Sequence, residues 1–120
     1  MDPARQLAVG RTVVGAAMIA LPRLSASTWI GAPAAHPAAG VLTRALGARE
    51  IGLGLGLLAS ADRKRPLRPW LAAGMIADLT DLVATVAARE SLPKLSLPMI
   101  VGAAGSGIAL GAVALAGADS

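Results

Sequence analysis

The stretch PWLAAGMIADLTDLVATVAA, residues 69–88, decides the fold, because Asp78 and Asp81 lie within a run of uncharged residues. A helix that crosses a bilayer needs about 20 mostly apolar residues, and this stretch is long enough. At about 100° per residue, one helical face carries small and polar residues and the other carries bulky apolar ones. The first face contains Gly74, Ala77, Asp78, Asp81, Thr85 and Ala88; the second contains Met75, Ile76, Leu79, Val83 and Val86. Such sidedness is typical of a membrane helix that packs its polar face into a bundle.

Three further apolar segments accompany this one, at residues 7–22, 38–60 and 98–117. The first is short for a span and must thin the bilayer or extend through its flanks. Prolines fall between the segments, and a short interfacial helix is expected around Trp29 within residues 23–37. The sequence therefore predicts an all-α fold, a four-transmembrane-helix bundle that forms a single transmembrane domain over residues 1–120.

The composition agrees with a membrane protein. Hydrophobic residues make up 55% of the chain and charged residues 15%, against about 25% charged in soluble domains. The chain is rich in Ala and Gly and has no Phe and no Tyr, which favours close packing of membrane helices. It has no cysteine, and we expect neither a metal nor a cofactor. The basic residues are not interleaved with aromatic ones, which argues against nucleic acid as a partner.

The distribution of Lys and Arg predicts the orientation. With four spans, one side of the membrane carries Arg5, Arg63, Lys64, Arg65 and Arg68, and the other carries Arg23, Arg89 and Lys94. Because the more basic side faces the cytoplasm, we expect a multi-pass protein of the inner (plasma) membrane with both termini cytoplasmic. Residues 12–21, preceded by two arginines, fit a signal segment as an alternative to a first span.

Charged residues inside the segments form the candidate site. They are Arg11, Arg44, Arg49, Glu50, Asp78 and Asp81. Each charged residue at the centre of a span raises the free energy of insertion by about 2.5–3.5 kcal/mol. Charged residues in spans are therefore candidate functional residues. Depth along the segments predicts the pairs Arg49–Asp78 and Arg44–Asp81, with the headgroups as an alternative partner for Arg44.

The same charges fit two interpretations. They could form a structural ion-pair network, or they could bind or conduct something. Such charges more often form a structural network, but two acids one helical turn apart, Asp78 and Asp81, exceed what that network needs and point back toward a function. The sequence assigns no catalytic residue.

Two small-residue spacings predict close helix packing, one at Gly52 and Gly56 and one at Gly107 and Gly111. They predict that the partners of this protein are the lipid bilayer and either further copies of itself or a larger membrane complex.

Part of the chain resembles a known group of proteins. The pattern Arg-x-x-Gly-Ala-Arg-Glu from Arg44 to Glu50, followed by Asp-x-x-Asp at Asp78 and Asp81, is similar to small, uncharacterised four-helix integral membrane proteins of high-GC bacteria. The resemblance covers residues 44–88. It implies the four-helix membrane fold and a shared site at the charged positions, and it implies no activity.

Three functions remain open from the sequence. The first is a helix bundle that self-assembles or serves as a subunit of a membrane complex. The second is a proton-coupled or small-solute transporter, or an ion pathway, that uses the intramembrane acids. The third is a membrane-embedded enzyme that modifies a lipid or isoprenoid, although the scarcity of aromatic residues disfavours it.

Overall fold

The structure, a computed structural model, describes residues 2–118 and is entirely helical over that range. The described part of the chain forms five α-helices in succession: α1 (Pro3–Ala20), α2 (Pro22–Ile30), α3 (Pro37–Asp62), α4 (Arg68–Ala87) and α5 (Ser96–Ala118). Two short 3-10 turns, Ala32–Ala35 and Arg89–Ser91, lie in the connections. The all-α prediction is therefore confirmed, and α2 is the short helix expected around Trp29. The first segment begins earlier than expected, at Pro3.

Proline and capping side chains set the helix starts. Pro3, Pro22 and Pro37 each occupy the first helical position, where the missing N–H has no intrahelical role. Asp2 Oδ1 accepts from the backbone N–H of Arg5 at 2.9 Å. His36 is exposed and caps α3, because its Nδ1 accepts from the Ala38 N–H at 3.1 Å.

Glycines let α1 and α3 pack backbone to backbone along most of their length. A Cβ added at Gly47 would lie 2.7 Å from the carbonyl oxygen of Gly15, and one added at Gly54 would lie 2.7 Å from that of Ala8. No larger residue fits at these positions without moving a helix. The α4 and α5 helices form the second closely packed pair, and α1 also contacts α5.

The four glycines that the sequence singled out differ from one another in their surroundings. A Cβ added at Gly52 would meet no atom within 4 Å, and one added at Gly56 would meet the ring of Trp70. Gly107 lies against the Asp78 carboxylate, and Gly111 lies against Met75, whose Cγ would be 2.8 Å from an added Cβ. Gly107 and Gly111 are thus buried within this chain and do not form an exposed contact face.

The sidedness of α4 follows the sequence pattern. Ile76 and Val83 are 67% and 59% exposed, whereas Gly74, Asp78 and Thr85 are buried. Met75 is an exception to the expected bulky outer face, because it turns toward Gly111 of α5. A helix that buries its carboxylate and exposes its aliphatic side chains reverses the arrangement usual in water.

Within residues 2–118, two helices are long and apolar enough to cross a membrane, namely α4 and α5. The α1 and α2 helices meet the same criteria as a pair, but they are bent by 106° at their junction, as in a broken span or a re-entrant loop. The α3 helix has 26 residues and is not among the candidate spans; Arg44, Arg49 and Glu50 lie within it.

Candidate functional site

All five helices line a cavity of about 460 Å³, and five charged side chains from three of them form what we call its floor. Arg11 comes from α1, Arg49 and Glu50 come from α3, and Asp78 and Asp81 come from α4. The volume falls in the range of small-molecule sites, which is about 300–1,000 Å³.

Arg11 is the centre of this floor. The buried face of α1 runs through Ala4, Leu7, Ala8, Arg11 and Gly15, so the helical period turns the guanidinium into the bundle. Its Nη1 donates to Glu50 Oε2 at 2.9 Å and to Asp78 Oδ1 at 3.2 Å. Its Nη2 donates to Asp78 Oδ2 at 2.6 Å. Arg11, 5% exposed, therefore joins three helices through a two-pronged pair with Asp78 and a bond to Glu50.

Arg49 extends the network to Asp81. Its Nη2 donates to Glu50 Oε1 at 3.1 Å and to Asp81 Oδ2 at 3.1 Å. Both oxygens of Glu50 are thus occupied, one by each arginine. Arg49 Nε is buried and has no hydrogen-bond partner among residues 2–118.

Two predicted pairs are wrong. Asp78 pairs with Arg11 and not with Arg49, and Asp81 pairs with Arg49 and not with Arg44. Arg44 lies outside the network and is exposed, and its Nε donates to the carbonyl oxygen of Ile19 at 3.3 Å. That carbonyl belongs to the last turn of α1, which lacks intrahelical donors. The comparison of depth considered only the second and third segments. It therefore missed Arg11 of the first segment, whose guanidinium lies between Glu50 and Asp78.

Glycines also make room for the charged groups. An added Cβ at Gly74 would lie 2.6 Å from Arg11 Nη2, and one at Gly107 would overlap the Asp78 carboxylate. The guanidinium and its carboxylate partner therefore fill the space that side chains at these two positions would occupy. Sequence inspection linked Gly107 to helix association and missed this role.

The walls of the cavity are mostly apolar, and they come from α1 and α5. They include Leu7, Val14, Ala17, Met18, Met99, Ile100, Ala103, Ala104 and Leu110. Several wall residues, such as Val14, Ala17 and Ala103, are exposed, so the cavity opens to the outside between the two helices. A ligand here would meet apolar walls first and charge at the floor.

The α2 helix closes part of the cavity with Ser25, Thr28 and Trp29. Trp29 Nε1 donates to Thr85 Oγ1 of α4 at 3.0 Å, and Thr85 Oγ1 donates to the carbonyl oxygen of Asp81 at 2.6 Å. The hydroxyl of Ser96, at the start of α5, donates to the carbonyl oxygen of Trp29. Sequence reasoning placed Trp29 only at a membrane interface; its tertiary partners carry no local sequence signal.

The chemistry of this floor is that of ion pairing and hydrogen bonding. Among residues 2–118, no group of three or more His, Asp or Glu side chains has the arrangement of a metal site. Comparison with protein-family models, with curated proteins and with solved structures finds no match for this chain.

Proposed function

We propose that this is an integral membrane protein that binds a small, largely apolar solute in the charged cavity, as part of small-solute transport. The observation that carries the proposal is the cavity itself, which joins an opening between α1 and α5 to a buried charged floor. A site for a small molecule usually combines apolar walls with a few fixed polar groups, and this cavity has both.

The surroundings of the cavity support entry from the bilayer. Large aliphatic side chains are exposed around the outside of the helices, including Val13 at 62% and Ile76 at 67%. In water, so much exposed apolar surface would drive association, whereas in lipid it is the expected outer surface. With four spans formed by α1, α3, α4 and α5, the opening between α1 and α5 would face hydrocarbon.

The buried charges support binding over a purely structural network. A network that only held helices together would need no adjoining cavity. A buried ion pair also adds little net stability to a folded protein, so stability alone does not explain these charges. Here the floor groups line open space, and Arg49 retains an exposed fraction of 35% in its side chain. Intramembrane ionisable groups that face a cavity are typical of substrate or ion pathways.

The test is binding of a compact apolar probe, 1-adamantanol, to the protein in lipid nanodiscs, measured by calorimetry against protein-free nanodiscs. Ala103→Trp places an indole in the cavity and should abolish specific binding. Val101→Trp is the matched control, because Val101 is 50% exposed on the same helix and does not line the cavity. Absence of binding to the starting protein, or equal binding by both variants, contradicts the proposal.

Transport requires flux as well as binding. Vesicles containing the protein should release a loaded, membrane-impermeant analogue of the bound solute faster than empty vesicles, and Ala103→Trp should remove the difference. Binding without flux would limit the function to solute binding.

Self-assembly is a second candidate, favoured by the outer face of α3. Ala45, Ala48 and Gly52 are exposed there, and an added Cβ at Gly52 meets open space. Small residues allow a second helix to approach closely. Gly52→Leu should lower the mass of the protein in detergent, whereas Gly102→Leu, at an equally open position of α5, should not. A monomeric starting protein would exclude this candidate.

A further inference from the structure

The charges that line the cavity do not balance. Arg11 and Arg49 supply two positive charges, whereas Glu50, Asp78 and Asp81 supply three negative ones when all are ionised. The five residues are joined to one another by ion pairs, so the excess belongs to the network as a whole. An uncompensated charge next to apolar walls is unfavourable, and an occupant with one positive charge would remove it.

Asp81 is the residue that can receive such an occupant. Both oxygens of Asp78 and both oxygens of Glu50 accept from arginine. Asp81 uses Oδ2 for Arg49, and its Oδ1 accepts from no other residue within 2–118. The Asp81 side chain is 20% exposed and lines the cavity, so Oδ1 is available to a donor from the ligand.

Neighbouring groups also favour a cation. Trp29 lines the cavity, and its hydrogen bond to Thr85 places it near Asp81, because Thr85 lies one helical turn from Asp81. The face of an aromatic ring attracts cations. Met18 and Met99 provide polarisable walls. An anionic group would compete with the three carboxylates, because the donors of Arg11 in the floor are already bonded to two of them.

We propose that the cavity binds an organic monocation, a protonated primary or secondary amine on a compact apolar body, with an N–H of the amine donating to Asp81 Oδ1. This proposal rests on the solute-binding function proposed above and specifies the charge of the solute. A second copy of the chain could fill the opening with a helix, but its small and aliphatic side chains would leave the excess charge uncompensated.

The experiment compares three probes with the same apolar cage: 1-aminoadamantane, 1-adamantanol and 1-adamantanecarboxylate. Each is titrated into the full chain in nanodiscs of neutral lipid at pH 7, with protein-free nanodiscs as the blank. We expect the amine to bind about 10- to 100-fold more tightly than the alcohol, the range for one charge-assisted hydrogen bond. The carboxylate should bind most weakly.

Three variants locate the effect. Asp81→Asn balances the remaining charges at two and two, so amine and alcohol should bind this variant with the same affinity. Asp81→Glu keeps the charge and should keep the preference for the amine. Glu90→Gln makes the same kind of change at an exposed carboxylate outside the cavity and should change nothing. A thermal unfolding transition as cooperative as that of the starting protein shows that Asp81→Asn is folded.

The outcomes separate this proposal from the proposed function. Equal affinity for amine and alcohol, or tightest binding of the carboxylate, overturns the monocation proposal and leaves solute binding standing. Binding of the amine with the same preference in Asp81→Asn overturns the assignment to Asp81. If no probe binds above the blank, both proposals fail.

Discussion

Arg11 of α1 and Asp78 of α4 form a two-pronged ion pair, with Arg11 Nη2 2.6 Å from Asp78 Oδ2 and Nη1 3.2 Å from Oδ1. The two residues are 67 positions apart in the chain and come from near the middle of their helices. Because each is less than 9% exposed, removal of one partner leaves the other charge largely shielded from bulk solvent. The stability of the bundle should therefore depend on this pair more than on any surface ion pair.

The first prediction is that Arg11 and Asp78 are energetically coupled. Arg11→Met leaves Asp78 without its donor and should lower the free energy of unfolding by about 3–5 kcal/mol. Adding Asp78→Asn should cost less than the sum of the single effects, with a coupling of about 1–3 kcal/mol. Thermal or denaturant unfolding in detergent measures each variant.

The matched control is the pair of Arg5 and Asp62, whose side chains are 40% and 53% exposed and 2.5 Å apart at Arg5 Nη2 and Asp62 Oδ1. Arg5→Met and Asp62→Asn should each change stability by at most about 1 kcal/mol, because water screens exposed pairs. Simple additivity for Arg11 and Asp78 would show that the two do not interact.

The second prediction concerns Gly107, which lies against the Asp78 carboxylate. Gly107→Ala should destabilise the protein by about 1–3 kcal/mol, because the methyl group must displace a buried, paired side chain. Gly105→Ala is the control: its added Cβ meets nothing within 4 Å, so stability should be unchanged or should rise by up to about 1 kcal/mol. Equal melting temperatures for the two variants would contradict the close packing of α5 on α4.

The third prediction concerns the bond between Trp29 and Thr85, which joins α2 to α4. Trp29→Phe keeps an aromatic ring and removes the donor, which should cost about 1 kcal/mol locally. Amide hydrogen exchange should therefore rise in Pro22–Ile30 and not in the distal part of α5. Thr85→Val should produce a similar increase in exchange, and the double variant should exchange little faster than either single variant. An unchanged exchange rate in α2 would mean that other contacts hold this helix.

The fourth prediction is the orientation in the membrane. The chain has no cysteine, so single substitutions provide specific labelling sites. Ala35→Cys avoids the capping His36 and should react with an impermeant thiol reagent in intact cells. Arg65→Cys should react only after permeabilisation, because its loop carries more Lys and Arg than any other connection between the segments. Labelling at position 65 and not at 35 in intact cells would reverse the orientation, and labelling at both would place residues 35 and 65 on the same side.

Local patterns in the sequence were sufficient for the helices and for their buried faces. The period of α3 places Thr43, Gly47, Glu50 and Gly54 on one side, and all four are buried. The period of α4 likewise separates Asp78 from Ile76 and Val83. These properties depend on residue spacing within one helix, which the sequence contains in full.

The partners of each charge and each glycine depended on the tertiary structure. Residue spacing shows that Arg11 faces inward, but only the packing of α1 between neighbours places its guanidinium between Glu50 and Asp78. The same packing turns Gly107 toward Asp78, leaves Gly52 uncovered and moves Arg44 out of the network. The sequence by itself determined where the helices lie and which face of a helix is buried, because both depend on residue spacing within one helix. Which of them meet, and the cavity that they line, was decided by the relative placement of the helices, because each contact spans residues far apart in the chain.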